Sequence, residues 1–139
     1  MGDLRRDVYI SGPLFTGAER AYLEAVDKTC RDLGYTTYLP HRDAGYAKAR
    51  GALRSQFFRA DVRMLRNSRV VVAVLNGAEV DAGTAWEVGY AFAHKKTIIG
   101  IREDLRMSEI NLMLTESAES VSSNGSLARR LAAVLRRKK

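Results

Sequence analysis

The sequence predicts a doubly wound α/β fold, in which helices cover both faces of a parallel β-sheet. Short β-rich runs alternate with helical patterns along the chain, as in strands that are joined by helical crossovers. The run Val70–Leu75 is apolar without alternation, which is typical of a central parallel strand covered on both faces. The chain has 139 residues, of which 46% are hydrophobic, and this is enough for one domain with an ordinary apolar core.

Four strands are predicted from runs rich in β-branched and apolar residues. They cover Asp7–Ser11, Thr36–Leu39, Val70–Leu75 and Thr97–Ile101. Five helices follow from apolar residues at three- and four-residue spacing. They cover about Ala18–Leu33, Ala52–Asn67, Thr84–His94, a short segment that begins at Ser108 and includes Asn111, and Ser126–Arg137. No repeat or linker divides the chain, so we expect a single domain over residues 1–139.

The composition excludes several classes of protein. The single cysteine, Cys30, cannot form an internal disulfide, and with only His41 and His94 the chain lacks a thiolate–imidazole set for zinc. The longest aliphatic run is far shorter than the roughly 20 residues of a membrane-spanning helix. No apolar signal segment follows the first charged residues. We therefore expect a soluble, cytoplasmic protein.

The net charge of +7 raises the question of nucleic-acid binding. The arginines from Arg50 to Arg66 recur near helical spacing and indicate one solvated face. Six further basic residues lie on the last predicted helix and at the end of the chain. This distribution argues against nucleic-acid binding as the main function and leaves attraction of a small anionic substrate open.

In a doubly wound sheet, ligands lie beyond the carboxyl ends of the strands. The functional site is therefore expected among the loops Ser11–Gly17, Pro40–Gly51, Asn76–Gly83 and Arg102–Met107.

The first of these loops, Gly12-Pro-Leu-Phe-Thr-Gly17, has the glycine spacing of a phosphate-binding loop. However, Ala18 and Glu19 stand where such a loop needs Lys and Ser or Thr, so hydrolysis of nucleoside triphosphates is not predicted. The chain also lacks the G-x-G-x-x-G pattern of a dinucleotide site. Taken alone, this loop is a glycine-rich turn.

A denser motif, Asp81-Ala-Gly-Thr-Ala-Trp-Glu87-Val-Gly-Tyr90, follows the buried strand and opens a helix. Near a helix N-terminus a carboxylate is favoured over its acid, so we expect Glu87 to be ionised and available as a nucleophile. Gly83 allows a ligand to approach the backbone, and Trp86 supplies apolar surface. The alternative is that Asp81 caps the helix and that Glu87 is only a first-turn acid.

A third acid, Asp61, lies on or beside the buried face of its predicted helix, which is costly unless the carboxylate has a partner. The alternative is an ion pair with neighbouring arginines. Tyr9 in the first strand can direct its hydroxyl towards the same cleft or simply pack in the core. Carboxylates that converge on one cleft fit glycosidic chemistry, in which one is the nucleophile and another, with a raised pKa, protonates the leaving group.

Four motifs together resemble the nucleoside 2-deoxyribosyltransferase family. They are Tyr9-Ile-Ser-Gly-Pro-Leu-Phe15, Asp61 within F-x-x-A-D-x-x-x-L, the segment Asp81–Tyr90, and Asn111-Leu-Met113, in the family's order over about residues 8–115. The resemblance implies a flavodoxin-like, Rossmann-like three-layer α/β fold. It also implies transfer of a 2-deoxyribosyl group between nucleobases through a covalent glycosyl-enzyme intermediate, with retention at C1′ and without a metal or organic cofactor.

The resemblance also implies roles for individual residues. Glu87 would be the nucleophile, Tyr9 would orient it, and Asp61 and Asp81 would handle the base and its proton. Asn111 would reach the sugar 5′ end in the site of a neighbouring subunit, so a homo-oligomer is expected. The other positions expected to bind substrate are Ser11, Gly12, Pro13, Phe15, Gly83, Thr84 and Trp86.

The chain departs from the family pattern at its end, where Arg136-Arg-Lys-Lys139 stands in place of a pocket aromatic residue. A related branch hydrolyses deoxynucleoside 5′-monophosphates and has Ser at the position of Asn111 and an arginine in the first loop. Asn111 favours a nucleoside substrate, whereas Arg20 and the basic surface favour a nucleotide. A nucleotide-binding domain without turnover is a further alternative.

Overall fold

The structure, a computed structural model, describes residues 5–45, 52–103, 110–121 and 124–135. Within these residues five strands form one sheet in the order β2-β1-β3-β4-β5, and every neighbouring pair is parallel. This is the strand order of flavodoxin-like doubly wound sheets. The strands are β1 Arg6–Ser11, β2 Thr37–Tyr38, β3 Ser68–Val74, β4 Thr97–Ile101 and β5 Glu119–Val121.

Helices cover both faces of this sheet, and they are α1 Gly17–Asp32, α2 Pro40–Asp43, α3 Ala52–Arg66, α4 Ala82–Ala93, α5 Leu112–Thr115 and α6 Asn124–Leu135. One core layer joins α1 and α6 to the sheet through Leu23, Val26, Leu127 and Leu131. The other layer joins α3, α4 and α5 to the opposite face through Leu65, Val88, Ala91 and Leu114. The predicted three-layer α/β class is therefore confirmed.

Successive side chains of β1 point to opposite faces of the sheet, and this decides which of them can reach α4. Val8 and Ile10 lie in the core layer of α1 and α6, whereas Tyr9 lies in the layer of α3 and α4. Ser11 is two residues after Tyr9 and shares its face because successive strand side chains point to opposite sides. Both hydroxyl groups therefore lie under α4.

Two short elements were missed by the sequence analysis. The strand β5 has three residues, two of them exposed, so it lacks a hydrophobic run. The helix α2 lies inside the predicted loop Pro40–Gly51 and begins with Pro40, whose fixed φ suits a first helical position. Asp43 of α2 accepts a hydrogen bond from the Leu39 backbone N–H (2.8 Å).

Several predicted boundaries shift by one to four residues. The helix expected from Thr84 begins at Ala82, and the one expected from Ser126 begins at Asn124. The helix expected from Ser108 is described only from Leu112. Arg50, Ser108, the loop 104–107 and the basic end after Leu135 lie outside the described residues. Among the residues that are described, no helix is long and apolar enough to cross a membrane.

Candidate active site

The side chain of Glu87 lies at the carboxyl end of β1, where two hydroxyl groups hold it. The Tyr9 hydroxyl donates to Glu87 Oε2 (2.5 Å), and the Ser11 hydroxyl donates to Glu87 Oε1 (2.5 Å). Tyr9 and Ser11 are both fully buried. Because each carboxylate oxygen has its own donor on a central strand, the orientation of this acid relative to the sheet is fixed.

A second carboxylate, Asp61 of α3, is joined to the first through a pair of tyrosines. The Tyr38 hydroxyl donates to Asp61 Oδ1 (2.9 Å). The rings of Tyr9 and Tyr38 stack with centroids 5.3 Å apart and an interplanar angle of 26°. Parallel pairing of β1 with β2 places Tyr9 opposite Tyr38 and so brings the two rings together. The stacked tyrosines thus connect Asp61 to Glu87.

Burial raises the pKa of Glu87 to about 7. The hydrogen bonds from Ser11 and Tyr9 lower this pKa, and the negative charges of Asp61 and Asp81 raise it further. The helix N-terminus therefore does not keep the pKa of Glu87 low, and both the ionised and the protonated forms are present near neutral pH. Glu87 is six residues beyond the N-cap Asp81, where the field of the helix terminus has decayed, and loss of solvent outweighs it.

The carboxyl group of Asp61 also has a raised pKa, about 6, because it is partly buried, while the hydrogen bond from Tyr38 lowers it. Among the described residues no arginine forms an ion pair with Asp61, so Tyr38 takes the place of that expected partner. Burial raises the pKa of Tyr9 and of Tyr38 well above the ordinary value, so both phenols stay protonated donors.

The third acid, Asp81, is the N-cap of α4. Its Oδ2 accepts hydrogen bonds from the Thr84 backbone N–H and the Thr84 hydroxyl, both at 3.0 Å. A Cβ at Gly83 would lie 3.3 Å from this oxygen, so glycine leaves room for the cap. Asp81 Oδ2 therefore caps the helix, which is the structural role that the sequence left open for this residue. The negative charge of Asp81 also raises the pKa of Glu87.

The family model of the nucleoside 2-deoxyribosyltransferases matches residues 8–124. The chain belongs to this family. The match includes all of the residues described above, and it confirms the family resemblance of the four sequence motifs. A comparison with curated proteins gives no match.

Solved structures of two 2-deoxyribosyltransferases and of a CMP N-glycosidase have the same fold. The 2-deoxyribosyltransferase from Bacillus psychrosaccharolyticus is 21% identical, with a TM-score of 0.75, and the match covers 88% of this chain and 90% of that one. The enzyme from Leishmania mexicana is 24% identical, with a TM-score of 0.70 and coverages of 91% and 97%. A CMP N-glycosidase from Clostridium botulinum is 16% identical, with a TM-score of 0.62 and coverages of 91% and 98%. At these identities the structures show a common fold.

In this deoxyribosyltransferase family member, the first loop is organised by packing and capping. A Cβ at Gly12 would lie 2.5 Å from Leu23 Cδ2 and 3.1 Å from Val74 Cβ, so a larger residue here would force both side chains to shift. Thr16 and Glu19 form a reciprocal capping box at the start of α1. Glu19, which stands at the Ser/Thr position of a phosphate-binding loop, thus closes the helix N-terminus.

The other predicted residues of this loop lie nearer the surface. Pro13 lines a cavity of about 280 Å³ together with Leu23, Val74 and Asn76, and the Phe15 ring is 69% exposed. Arg20 donates from Nη1 to the Leu14 carbonyl oxygen (2.9 Å).

Trp86 lies on the outer side of α4 in a row of aromatic side chains. Its ring stacks on Tyr90 (centroids 5.4 Å apart, 14°) and meets Phe58 of α3 edge-on (5.7 Å, 64°). Tyr90 in turn stacks on His94 (4.1 Å). Trp86 and Phe58 are about half exposed, so this row is a solvent-facing apolar surface.

Asn111 lies in a groove apart from Glu87. Its Oδ1 caps α5 by accepting from the Met113 backbone N–H (2.8 Å). The groove has a volume of about 870 Å³, and its lining includes Val88, Phe92, Leu112 and Met113 but not Glu87. Within one chain, Asn111 therefore faces a different surface from the carboxylates.

The sequence analysis missed the role of Tyr38 and the contact of Ser11 with Glu87. Ser11 could have been linked to Tyr9 by the two-residue period of a strand, whereas Tyr38 depends on the pairing of two strands that are distant in sequence. No group of three or more His, Cys, Asp or Glu side chains within the described residues could hold a metal ion. His41 bonds to Glu24 (2.9 Å), and Cys30 is buried.

Proposed function

We propose that this protein is a nucleoside 2-deoxyribosyltransferase that exchanges the base of a 2′-deoxynucleoside for a free nucleobase, with retention at C1′. The observation that carries the proposal is the pair of carboxylates, Glu87 and Asp61, joined by the stacked phenols of Tyr9 and Tyr38. Both carboxylates lie towards the carboxyl ends of the strands, where doubly wound folds bind their ligands. Membership of the family supports the same chemistry.

In the first step, an oxygen of ionised Glu87 attacks C1′ of the deoxyribose. The bond from C1′ to the base nitrogen breaks, its electron pair goes to the base, and Asp61 transfers its proton to the leaving base. A deoxyribosyl–Glu87 ester results. Tyr9 and Ser11 hold the carboxylate in the attacking orientation, and this positioning lowers the barrier.

In the second step, a nitrogen of the incoming base attacks C1′ on the face opposite Glu87. The ester bond breaks, Glu87 regains its negative charge, and the proton of the incoming base returns to Asp61. Two inversions at C1′ give net retention. Asp81 Oδ1, which is not used by the helix cap, orients the base. The remaining predicted substrate contacts, including Phe15, Thr84 and Trp86, stay predictions.

The two carboxyl groups require opposite protonation states, since Glu87 must be ionised and Asp61 protonated. Their pKa values, about 7 and about 6, are close to each other and to neutrality. The groups also interact, so the two apparent pKa values of the rate belong to the pair. A bell-shaped dependence of the exchange rate on pH, with its maximum between pH 6 and 7.5, is expected.

We further propose that a second copy of the chain completes each site with its Asn111. In support, the groove beside Asn111 exposes Phe92, Leu112 and Met113, which are 59%, 67% and 70% exposed. Apolar groups of this size on one surface are typical of a subunit interface. Mixing inactive Glu87→Ala protein with inactive Asn111→Ala protein, under subunit exchange, should restore part of the activity. No recovery despite demonstrated exchange would contradict this assignment.

The second candidate function is hydrolysis of a deoxynucleoside 5′-monophosphate. The fold similarity to a CMP N-glycosidase favours it, because water would then take the place of the acceptor base with Glu87 unchanged in its role.

One assay distinguishes the candidates: the protein is incubated with 2′-deoxyadenosine and cytosine, and in parallel with the 5′-monophosphate donor. A new nucleoside identifies a transferase, release of the sugar without a new nucleoside identifies a hydrolase, and the absence of both identifies a binding domain. Ribonucleoside donors should react at least roughly 10²-fold more slowly, because the 2′-hydroxyl destabilises the positive charge that develops at C1′ and also needs a buried partner. Equal rates on ribonucleosides would contradict the deoxyribosyl assignment.

A further inference from the structure

Tyr38, whose hydroxyl donates to Asp61, lies on a very short strand at the edge of the sheet. The strand β2 has two residues, compared with six in β1 and seven in β3. It pairs with β1 through Thr37 and Tyr38. An edge strand of this length makes few hydrogen bonds to its neighbour, so further contacts are needed to fix the position of Tyr38.

The helix α2 supplies these contacts through an ion pair that holds the backbone on both sides of Tyr38. Arg42 Nη2 donates to the Thr37 carbonyl oxygen (3.2 Å), and Asp43 Oδ2 accepts from the Leu39 backbone N–H (2.8 Å). These are the two peptide groups that join Tyr38 to its neighbours. Arg42 Nε and Nη2 also donate to the two carboxylate oxygens of Asp43, at 2.8 and 2.7 Å. Paired hydrogen bonds of this kind fix the orientation of both partners.

The same guanidinium group is anchored to the buried side of α1. Arg42 Nη1 donates to Asp27 Oδ2 (2.9 Å), and Asp27 is fully buried. Arg31 Nε donates to the same oxygen (2.7 Å). The contact of Arg31 joins two residues of one helix, whereas the contact of Arg42 joins α2 to α1. Arg42 therefore connects a fixed carboxylate in the α1 layer to the peptide that precedes Tyr38.

We propose that Arg42 is a positioning residue for the reaction: it fixes the backbone around Tyr38 and so keeps the Tyr38 hydroxyl on Asp61. The inference rests on the proposed role of Asp61 as the group that exchanges a proton with the base. Among the described residues Arg42 has no contact with Asp61 itself, so its effect passes through Tyr38.

The titratable groups that interact with Asp61, within the part of the chain that the structure describes, are Tyr38 of β2, Tyr9 of β1 and Glu87 of α4. The hydrogen bond from Tyr38 favours the ionised form of Asp61. If Arg42 is removed, the backbone of β2 is held less firmly and this hydrogen bond is weakened. The pKa of Asp61 should then rise, as it should when the hydroxyl itself is removed.

Carbon-13 NMR titration of the Asp61 carboxyl group in the full chain tests the proposal, with the signal assigned by its loss in Asp61→Asn. In Arg42→Met the pKa of Asp61 should rise by about half a pH unit or more, since a hydrogen bond contributes about 1 kcal/mol. Arg31→Met is the matched control, because it removes a guanidinium group from the same oxygen of Asp27 and leaves β2 untouched. It should leave the titration of Asp61 unchanged.

A double variant separates positioning from general loss of structure. Once Tyr38→Phe has removed the hydroxyl, adding Arg42→Met should cause no further change in the titration of Asp61, because both changes act through one hydrogen bond. If Arg42→Met does not fold, Arg42→Lys takes its place. Lysine keeps a positive charge for Asp27 but lacks the planar group that reaches Asp27, Asp43 and Thr37 together, so the pKa of Asp61 should rise here as well.

An unchanged titration of Asp61 in folded Arg42→Met or Arg42→Lys overturns the proposal. Equal shifts in Arg31→Met and Arg42→Met, or a shift from Arg42→Met that persists in full in the Tyr38→Phe background, also overturn it. These titrations need no substrate. Base exchange by the unmodified protein tests the proposed function separately, and in the active enzyme Arg42→Met should move the pH optimum to higher pH while Arg31→Met does not.

Discussion

The two ends of this sheet hold charged groups by different means. At the carboxyl end, phenol and serine hydroxyl groups donate to Glu87 and Asp61, and burial raises the pKa of both acids towards neutrality. At the amino end, backbone carbonyl oxygens accept hydrogen bonds from the cationic side chains of Arg69 and Lys96. The carboxyl end is therefore suited to groups that change protonation during a reaction, whereas the amino end holds its cations through hydrogen bonds to the backbone.

Removing the proposed nucleophile should have the largest effect. In Glu87→Ala the double displacement cannot occur, so we expect turnover to fall on the order of 10³-fold or more, with binding of the nucleoside largely kept. Base exchange is followed by chromatography. Glu24→Ala, an exposed acid on α1, and Lys96→Met at the amino end are matched controls and should retain the rate. A Glu87→Ala protein with more than a tenth of the original rate would restrict Glu87 to a structural role.

Changing the acids that handle the base should have the next largest effect. Asp61→Asn should slow exchange roughly 10²-fold or more, because the leaving base loses its proton donor. Asp81→Asn should slow it in the same range while the fold is kept, since Asn also caps helices well. Rates are compared with circular dichroism melts of each variant. Full activity in Asp81→Asn would show that Asp81 serves only as the N-cap of α4.

The raised pKa of Glu87 predicts how stability depends on pH. Between the pKa of an unfolded glutamate, about 4.3, and the folded value of about 7, the folded state binds more protons than the unfolded state. The free energy of unfolding should therefore fall as pH rises through this window. Relative to Glu87→Gln, the unmodified protein should lose on the order of 2 kcal/mol between pH 5 and pH 8 in urea titrations. A constant difference would show that Glu87 has an ordinary pKa.

The smallest effect is expected for Tyr38, which acts through Asp61. Tyr38→Phe keeps the ring and loses the hydroxyl that lowers the pKa of Asp61, so this pKa should rise and the pH optimum of the rate should move to higher pH. Turnover at the optimum should fall about threefold to tenfold. Tyr35→Phe in the opposite core layer should change neither. An unchanged pH optimum, with the Asp61 carboxyl signal titrating as before in carbon-13 NMR, would show that Tyr38 does not act on Asp61.

Local patterns were sufficient to predict most of the fold. The apolar run of β3 and the spaced apolar residues of α1 and α3 each bury a continuous surface. Such a surface requires apolar residues in a run or at regular spacing, and either pattern can be recognised in the sequence. The strand β5 and the helix α2 are short and bury one residue each, so they have no such apolar pattern and were missed.

The candidate site was less predictable because its chemistry depends on packing between distant segments. Tyr38 reaches Asp61 only through the register that sets β2 beside β1, and Glu87 loses solvent only because α4 lies over Tyr9 and Ser11. A helix terminus can be recognised in the sequence, whereas burial of a side chain beneath that helix cannot. The expectation that Glu87 is ionised therefore took no account of burial, which raises its pKa.

The covalent step is tested most directly by mass spectrometry of the protein after it is mixed with 2′-deoxyadenosine alone and quenched in acid. Without an acceptor base the deoxyribosyl–Glu87 ester should accumulate, and digestion should locate one deoxyribosyl group on the peptide that contains Glu87. The same treatment of Glu87→Ala should give no adduct. Release of adenine with no adduct on any peptide, or an adduct on a different side chain, would contradict the assignment of Glu87 as the nucleophile.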